Sequence, residues 1–405
     1  MIAIDNLNAS ELQRIRVSCS YLFMPELARN DEFLKKINPA SVKKAFRDKA
    51  KMYHPDLHAH ESQEILSRRK ERFLKIQESY EHLYRYFLEN TLTAYEQGSG
   101  KGDIIAVGGA KGGIGKSIFA VNLAVLLASM GKKTLLVDLD LGGANVHLYL
   151  GELTLKGSIN DFLYNKAPRF QDIAVRSKYG PFYIGGDSSQ LGAANITFAQ
   201  KLKLLKAVKS IDADFVILDL GGDTAYNIID FFLAADHGIV VTTCDPASDL
   251  EAYNFLKVAL YRKINRIFGA ESVYPEKKDG DLRDLIHEFT APSSRAGENT
   301  IGELLALIKE KQPRHLSMMK ELISSYQPRL VINRVTDSCN VHDVVERIKT
   351  VSKKMLSIHV DHIGTLPHQQ EIEASARELI PVIAKYPQGI IARHTHRIVR
   401  TLLSY

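Results

Sequence analysis

The chain has 405 residues, 45% hydrophobic, 25% charged and 8% aromatic, a composition ordinary for a soluble protein and long enough for two or three packed domains. The 53 Lys+Arg against 47 Asp+Glu leave +6, weaker than a dedicated nucleic-acid binder carries; Cys19, Cys244 and Cys339 lie too far apart for a CxxC pair or a zinc cluster, and three cannot form a paired disulfide framework, so a reducing cytoplasm is expected. No run of about 18 apolar residues occurs, and Met1 to Asp5 lacks the basic-then-apolar order of a secretion signal, so neither membrane spanning nor export is expected.

Residues 10–97 show apolar residues at helical spacing, few glycines, many charges and no strand pattern, which predicts a small all-helical domain over 1–97. Val42, Ala45, Phe46, Lys49, Ala50 and Tyr53 recur at helical spacing and leave Lys43, Lys44, Arg47 and Lys51 for the exposed side. Pro55 stops that helix, and Phe73, Ile76, Gln77, Tyr80 and Leu83 give a facing helix its apolar stripe. The pair is an antiparallel hairpin closed by His54-Pro55-Asp56. It resembles the J domain of DnaJ-type co-chaperones. That resemblance implies a DnaK-type chaperone docking on His54, Pro55 and Asp56 and on the basic face of Lys43, Lys44 and Arg47. The usual tyrosine-rich first helix is replaced by a longer segment from Leu12 to Ile37, so a J-like fold reused as a protein-binding adaptor stands beside co-chaperone action.

Gly98-Ser99-Gly100-Lys101-Gly102 forms a linker over 98–102, and a domain of different character fills 103–405. Its first strand, Ile104–Val107, runs into Gly108-Gly109-Ala110-Lys111-Gly112-Gly113-Ile114-Gly115-Lys116-Ser117 and then into an apolar helix from Ile118 to Met130. Glycines let the backbone curl so that successive N–H groups and the helix N-terminus point at phosphates. Lys116 would neutralise the β- and γ-phosphates of a nucleotide, and the Ser117 hydroxyl would ligate Mg²⁺. The generic pattern GxxxxGK[ST] fails at Ala110; the variant KGGxGK[ST] fits and adds Lys111 inside the loop. Two lysines on one loop repel each other unless an anion sits between them.

This loop strongly resembles the deviant Walker A loop of the MinD/ParA family of P-loop ATPases, and the resemblance covers most of 103–405. It implies ATP held by Gly112, Gly113, Ile114, Gly115, Lys116, Ser117 and Ile118, and an ATP-dependent sandwich homodimer in which Lys111 reaches the partner's ATP. Leu136-Val137-Asp138-Leu139-Asp140-Leu141-Gly142-Gly143-Ala144-Asn145 resembles the family's first switch. Carried over, Asp140 orients the attacking water, making Asp140, Lys111 and Lys116 the catalytic set, while Asp138 supports the magnesium site or the loop. Phe215–Leu218 is an apolar strand ending in Asp219-Leu220-Gly221-Gly222, which matches the second switch. There Asp219 joins Ser117 and Asp138 as the metal set, Gly221 senses the γ-phosphate, and Gly221-Gly222 replaces the proline that family members often carry in this turn, which implies a looser switch.

The apolar runs Thr134–Val137, Ile239–Thr242 and Arg329–Ile332 alternate with helical segments, so the fold class is α/β, a mostly parallel, doubly wound sheet of the P-loop NTPase kind behind the J-like domain. Residues 269–326, with Lys277-Lys278-Asp279-Gly280 and Ser293-Ser294, read as an insertion of short helices and mobile loop. Val331-Ile332-Asn333-Arg334-Val335 and Ile363-Gly364-Thr365-Leu366-Pro367 resemble the strand ends around the adenine, with Asn333 bonding the base and Arg334 beside it. In residues 389–405, Ile391, His394, Ile398, Leu402 and Tyr405 recur at helical spacing among Arg393, Arg397 and Arg400 without an acid. A helix packed on the sheet is preferred there over one lying on an anionic membrane.

The expected function is a MinD/FlhG-type positional ATPase with flagellar or polar partners, cytoplasmic or peripheral at the inner face of the membrane or the cell pole. The alternatives are a ParA-type DNA-partition ATPase, disfavoured by the modest charge, and a DnaK-type chaperone co-factor whose ATPase domain delivers a client. A NifH-like electron carrier needs thiol ligands that the scattered cysteines do not offer.

Overall fold

Asparagine caps and apolar residues three and four apart build the first unit, Met1–Gln97, from α1 (Ala9–Leu22), α2 (Asp31–Lys36), α3 (Pro39–Tyr53) and α4 (Gln63–Glu96). The computed structural model describes residues 9–54, 63–96, 102–187, 195–268, 280–290 and 300–404. Asn38 and Ser41 cap α3 reciprocally, each side chain taking the other's backbone N–H at 3.0 Å, and Pro39 presets its first turn. Ile15, Cys19 and Leu22 of α1, Val42 of α3 and Ile76 and Leu83 of α4 share one core, with Phe46 stacked on Tyr80 at 4.3 Å. Lys43, Lys44 and Arg47 lie on the exposed side of α3, and His54 follows its last turn. Pro55 and Asp56 lie outside the described residues.

The second unit, Gly98–Tyr405, alternates strand and helix: β1 (Asp103–Gly108), α5 (Lys116–Ser129), β2 (Thr134–Asp138), α6 (Val146–Tyr149), α7 (Ile159–Leu163), β3 (Val175–Arg176), β4 (Phe182–Ile184), α8 (Phe198–Lys209), β5 (Phe215–Asp219), α9 (Tyr226–Leu233), β6 (His237–Thr242) and α10 (Pro246–Phe268). Then come α11 (Gly280–Thr290), α12 (Ile301–Lys311), α13 (Leu316–Ser324), β7 (Arg329–Val335), α14 (Val341–Val351), β8 (Asp361–Pro367), α15 (Gln370–Arg377), α16 (Val382–Lys385) and α17 (Ile390–Leu403). The strands form one sheet in the order β3-β4-β2-β5-β1-β6-β7-β8, parallel throughout except for the β3–β4 pair. Alternation along β1 sends Ile105 and Val107 into the core shared with α5, α16 and α17, while on the opposite face α9 and α10 meet through Phe232 and Phe255, ring edge to ring face at 4.9 Å. A buried ion cluster ties α9 to its neighbours: Asp230 bonds Lys201 of α8 and takes two bonds from Arg262 of α10 at 2.8 and 3.0 Å.

Helices α11, α12 and α13 occupy the described part of 269–326, which contains no strand; Leu282, Ile286, Phe289, Leu304, Ile308, Met319 and Ile323 are buried there. Residues 269–279 and 291–299, on which the mobile-loop expectation falls, lie outside the described residues. Helix α17 buries Ile391, Ala392, Thr395, Ile398, Val399 and Leu402, the packed arrangement, and leaves Arg393, Arg397 and Arg400 exposed. His394 is anchored by a 2.7 Å bond from Nδ1 to the Thr365 carbonyl. No helix among the described residues is long and apolar enough to cross a membrane.

The expectation from the cysteine count, no disulfide framework, is corrected for one pair. Cys244 and Cys339, 95 residues apart in sequence, form a disulfide with Cα atoms 5.9 Å apart, because β6 and β7 are adjacent parallel strands and the turns leaving them meet. Sequence distance hides that proximity. Cys19 is a free, buried thiol.

Candidate functional site

The central strand β1 delivers the glycine loop at the C-terminal edge of the sheet. Gly113 and Gly115 have φ of +75° and +92°, a left-handed backbone that side chains disfavour, and this curl lets α5 start at Lys116. A Cβ on Gly112 or Gly113 would meet nothing within 4 Å, so the loop's outer wall stands open. Lys116 is 6% exposed, and its ammonium turns back to donate to the Lys111 carbonyl at 2.7 Å. Burial pulls its pKa down, opposed by Asp219, Asp140 and Asp223.

Asp219 and Asp140 act on this lysine from the ends of β5 and β2, and Asp138 lies beside Asp219. Asp138 and Asp219 are paired across the β2–β5 ladder, which places two buried acids side by side. Asp138 accepts backbone N–H bonds from Asp140 (3.2 Å), Asn145 (3.0 Å) and Val146 (3.0 Å), so its oxygens hold the turn 139–146. Burial raises its pKa, Asp140 adds to that, and the three N–H donors counteract it. Asp219 is raised well above the carboxylate range by burial and then by Asp138. The Ser117 hydroxyl is near enough to lower it in part, yet neither oxygen of Asp219 has a partner in ordinary hydrogen-bond geometry among the described residues. Asp140 accepts the Gly143 N–H at 3.1 Å, and a Cβ on Gly221 would come within 3.1 Å of its Oδ1. Gly222 lies so close to the loop that a Cβ there would meet the Gly112 nitrogen at 2.9 Å and the Lys116 ammonium at 3.0 Å.

Lys111 does not share the interior with Lys116. Its ammonium sits 3.0 Å from Asp245 and donates to the Ser248 hydroxyl at 3.1 Å, at the start of α10. Hydrogen bonds from Ser248 and Thr243, then from Lys111, hold the Asp245 carboxyl far below its usual range. Asn333, the residue expected at the base, donates to the Ile114 carbonyl at 2.7 Å and braces the glycine loop from β7. A cavity of about 340 Å³ opens beyond Gly115, lined by Ile118, Asn333, Arg334, Leu366 and His368. On the other side of the loop lies a cleft of about 460 Å³ bordered by Lys111, Asp245, Arg334, Cys244 and Cys339.

The fold therefore gathers Lys116, Ser117, Asp138, Asp140 and Asp219 at one point, sets Asn333 and Arg334 against the loop, and parks Lys111 on a separate acid. His54 and the basic residues of α3 belong to the other unit. The Thr243–Asp245–Ser248 network and the packing role of Gly222 were missed in the sequence. A usable signal existed: Thr242-Thr243-Cys244-Asp245 ends an apolar strand in an acid, the same signature that singled out Asp138 and Asp219.

A parallel sheet whose central strand opens into a two-lysine glycine loop, faced by acids at neighbouring strand ends, defines a P-loop nucleotide-binding protein. The chain belongs to the CobQ/CobB/MinD/ParA nucleotide binding domain family, whose model matches residues 105–382. Among curated relatives it is 31% identical over 157 residues to the antiactivator FleN of Pseudomonas aeruginosa, covering 38% of this chain and 55% of FleN. It is 29% identical over 183 residues to the flagellum site-determining protein YlxH of Helicobacter pylori, covering 45% of this chain and 61% of YlxH. The chain thus spans little more than half the length of these relatives. A solved structure, the MinC:MinD cell division protein complex of Aquifex aeolicus, aligns over 75% of this chain and 96% of its own at 16% identity and a TM-score of 0.49.

Proposed function

We propose that residues 103–405 form a Mg²⁺-dependent ATPase that dimerises around ATP and uses that cycle to recruit and release partner proteins. The observation that carries the reading is Asp219, a fully buried carboxylate whose oxygens have no partner in ordinary hydrogen-bond geometry among the described residues, set beside Lys116 and Ser117 under an open glycine cradle. Leaving such a group unpaired is costly, and a divalent cation held there would offset that cost. Ser117 and Asp219 are the residues that would hold Mg²⁺, which supplies charge neutralisation of the β- and γ-phosphates when bound. The N–H groups from Gly112 to Ile118 receive the phosphate oxygens, and the Lys116 ammonium exchanges the Lys111 carbonyl for them. Asp138 keeps the 139–146 turn in place, Asp140 orients the attacking water, and Gly221 reads the γ-phosphate. Lys111 leaves Asp245 for the partner's ATP. The cavity beyond Gly115 takes the base, with Asn333 and Arg334 on its wall.

A relative named for flagellum site determination supports a flagellar or polar placement role, which the proposal sets in the cytoplasm or at the inner face of the membrane. The helical unit is assigned as a J-like docking module for a DnaK-type chaperone, through His54, Pro55 and Asp56 and the exposed Lys43, Lys44 and Arg47. Its capped basic α3 ending at His54 supports this. Calorimetry and sedimentation with Mg²⁺ and a non-hydrolysable ATP analogue test the core of the reading. Lys116→Ala should lose at least about 100-fold in affinity, roughly 2.7 kcal/mol. Lys111→Ala should impair ATP-dependent dimerisation more than nucleotide binding, leaving a monomer that still takes the nucleotide, though more weakly. Undiminished affinity in the first, or a normal dimer in the second, rejects the corresponding assignment.

A further inference from the structure

The ladder between β6 and β7 already fixes these strands, from Ile239 opposite Arg329 to Thr242 opposite Ile332. A covalent link between the turns that follow them adds little to the sheet; what it restrains is the turns. One carries Thr243, Cys244 and Asp245, and the other runs from Thr336 through Ser338 to Cys339. Both border the cleft beside the glycine loop, and Cys244 directly precedes the acid that holds Lys111. Both cysteines are half-buried at that open rim, within reach of a small thiol, whereas Cys19 is enclosed in the helical core and burial pushes its thiol up to about 12.

We propose that the Cys244–Cys339 disulfide is a reversible clasp on the nucleotide site: closed, it holds the Asp245 turn and keeps Lys111 parked; opened by a dithiol, it frees that turn and strengthens nucleotide binding. The proposal rests on the nucleotide reading above. The chemistry is thiol–disulfide exchange. A thiolate of the dithiol attacks one cysteine sulfur, the Sγ–Sγ bond breaks as a mixed disulfide forms, and the second thiol of the donor displaces the remaining cysteine. Two electrons and two protons pass to Cys244 and Cys339, and the donor leaves as its own disulfide. Closure is the reverse reaction with an oxidised dithiol. The Cα separation of 5.9 Å suits the bond without moving either strand, so the clasp can open and close on one fold. Because the coupling is reciprocal, bound nucleotide must favour the dithiol by the same factor by which reduction favours nucleotide.

The test uses the full chain, air-oxidised or treated with dithiothreitol, and Mg²⁺ with a fluorescent non-hydrolysable ATP analogue. Alkylation of the denatured protein should find only the Cys19 thiol before reduction and all three cysteines after it. The reduced form should bind the analogue about tenfold more tightly, and the nucleotide should raise the midpoint potential of the pair by about 30 mV. Cys244→Ser and Cys339→Ser, each confirmed as folded by circular dichroism, should behave like the reduced form without reductant. Three reactive thiols before reduction, equal affinity in both states, or tighter binding by the oxidised form would each overturn the clasp. Equal, firm binding would leave the nucleotide reading standing, whereas no binding in either state would remove both.

Discussion

Lys116 and Lys111 stand five positions apart in one loop and live in different electrostatic worlds. Lys116 is enclosed with acids at the strand ends and has its pKa lowered by burial; Lys111 is half-exposed on an acid stabilised by hydroxyls. The sequence pattern named both residues, and their repulsion was the argument for an anion between them. In the structure the repulsion is relieved by Asp245, an acid 134 positions further along, so the partner of Lys111 was invisible to local spacing. A third lysine makes the general point testable on stability alone. Lys263 of α10 is pushed down to about 8 by burial, donating to the Ser325 hydroxyl at 2.9 Å above the Tyr326 ring. A depressed lysine pKa gives stability that is present above the unfolded value of about 10.4 and lost as pH falls through about 8. At neutral pH the charged form is therefore a liability. Lys263→Met should raise the stability of the protein by about 1 kcal/mol near neutral pH in denaturant titrations, and the gain should shrink above the folded pKa. A gain that is flat with pH would show that packing, and not charge burial, is responsible.

At the scale of elements, the site is a contact between two turns, the loop after β1 and the turn after β5. Both were legible in the sequence because an apolar strand that ends in glycines or an acid is a local pattern. Their mutual fit was not, since it depends on which strands become neighbours; β5 pairs with β1, and this lays Gly222 against Gly112. The same limit explains Asn333. Its position after an apolar strand marked it as a site residue, but only the placement of β7 reveals that its amide braces Ile114. Replacing proline by Gly221-Gly222 suggested a looser switch; the structure gives Gly222 a packing reason, because a methyl group there would collide with backbone. Gly222→Ala should force the 219–225 turn off the loop and cost about 1–2 kcal/mol of nucleotide binding, roughly tenfold in Kd by calorimetry. Gly131→Ala is the control. It too has a left-handed φ, +81°, but its Cβ would meet nothing within 4 Å. It should lower stability by about 1 kcal/mol and leave Kd unchanged, so equal effects on Kd from the two changes would refute the steric account.

For the whole molecule, the question is why a helical unit and a nucleotide-binding domain share one chain. The boundary near residue 98 was legible because glycine and serine interrupt two different periodicities, and the units divide there. The docking role proposed for the helical unit rests on the basic face of α3, the apolar stripe of α4 and three turn residues, of which Pro55 and Asp56 lie outside the described residues. A J-like unit acting on a DnaK-type chaperone makes a prediction that an adaptor does not. The full chain should stimulate the chaperone's ATPase, and His54→Gln should abolish the stimulation while leaving the helical core intact, because His54 sits after α3 and outside the cluster of Ile15, Leu34, Val42 and Ile76. Phosphate release must be assigned to the chaperone and not to the chain itself, so the assay belongs in a Lys116→Ala background, where the P-loop is silenced. If stimulation is absent, or survives His54→Gln, the hairpin is an adaptor, and its basic face then binds whatever protein the nucleotide cycle positions. If stimulation is present and requires His54, the same chain would couple two ATP-driven cycles, one run by its own P-loop and one run in a chaperone that it recruits.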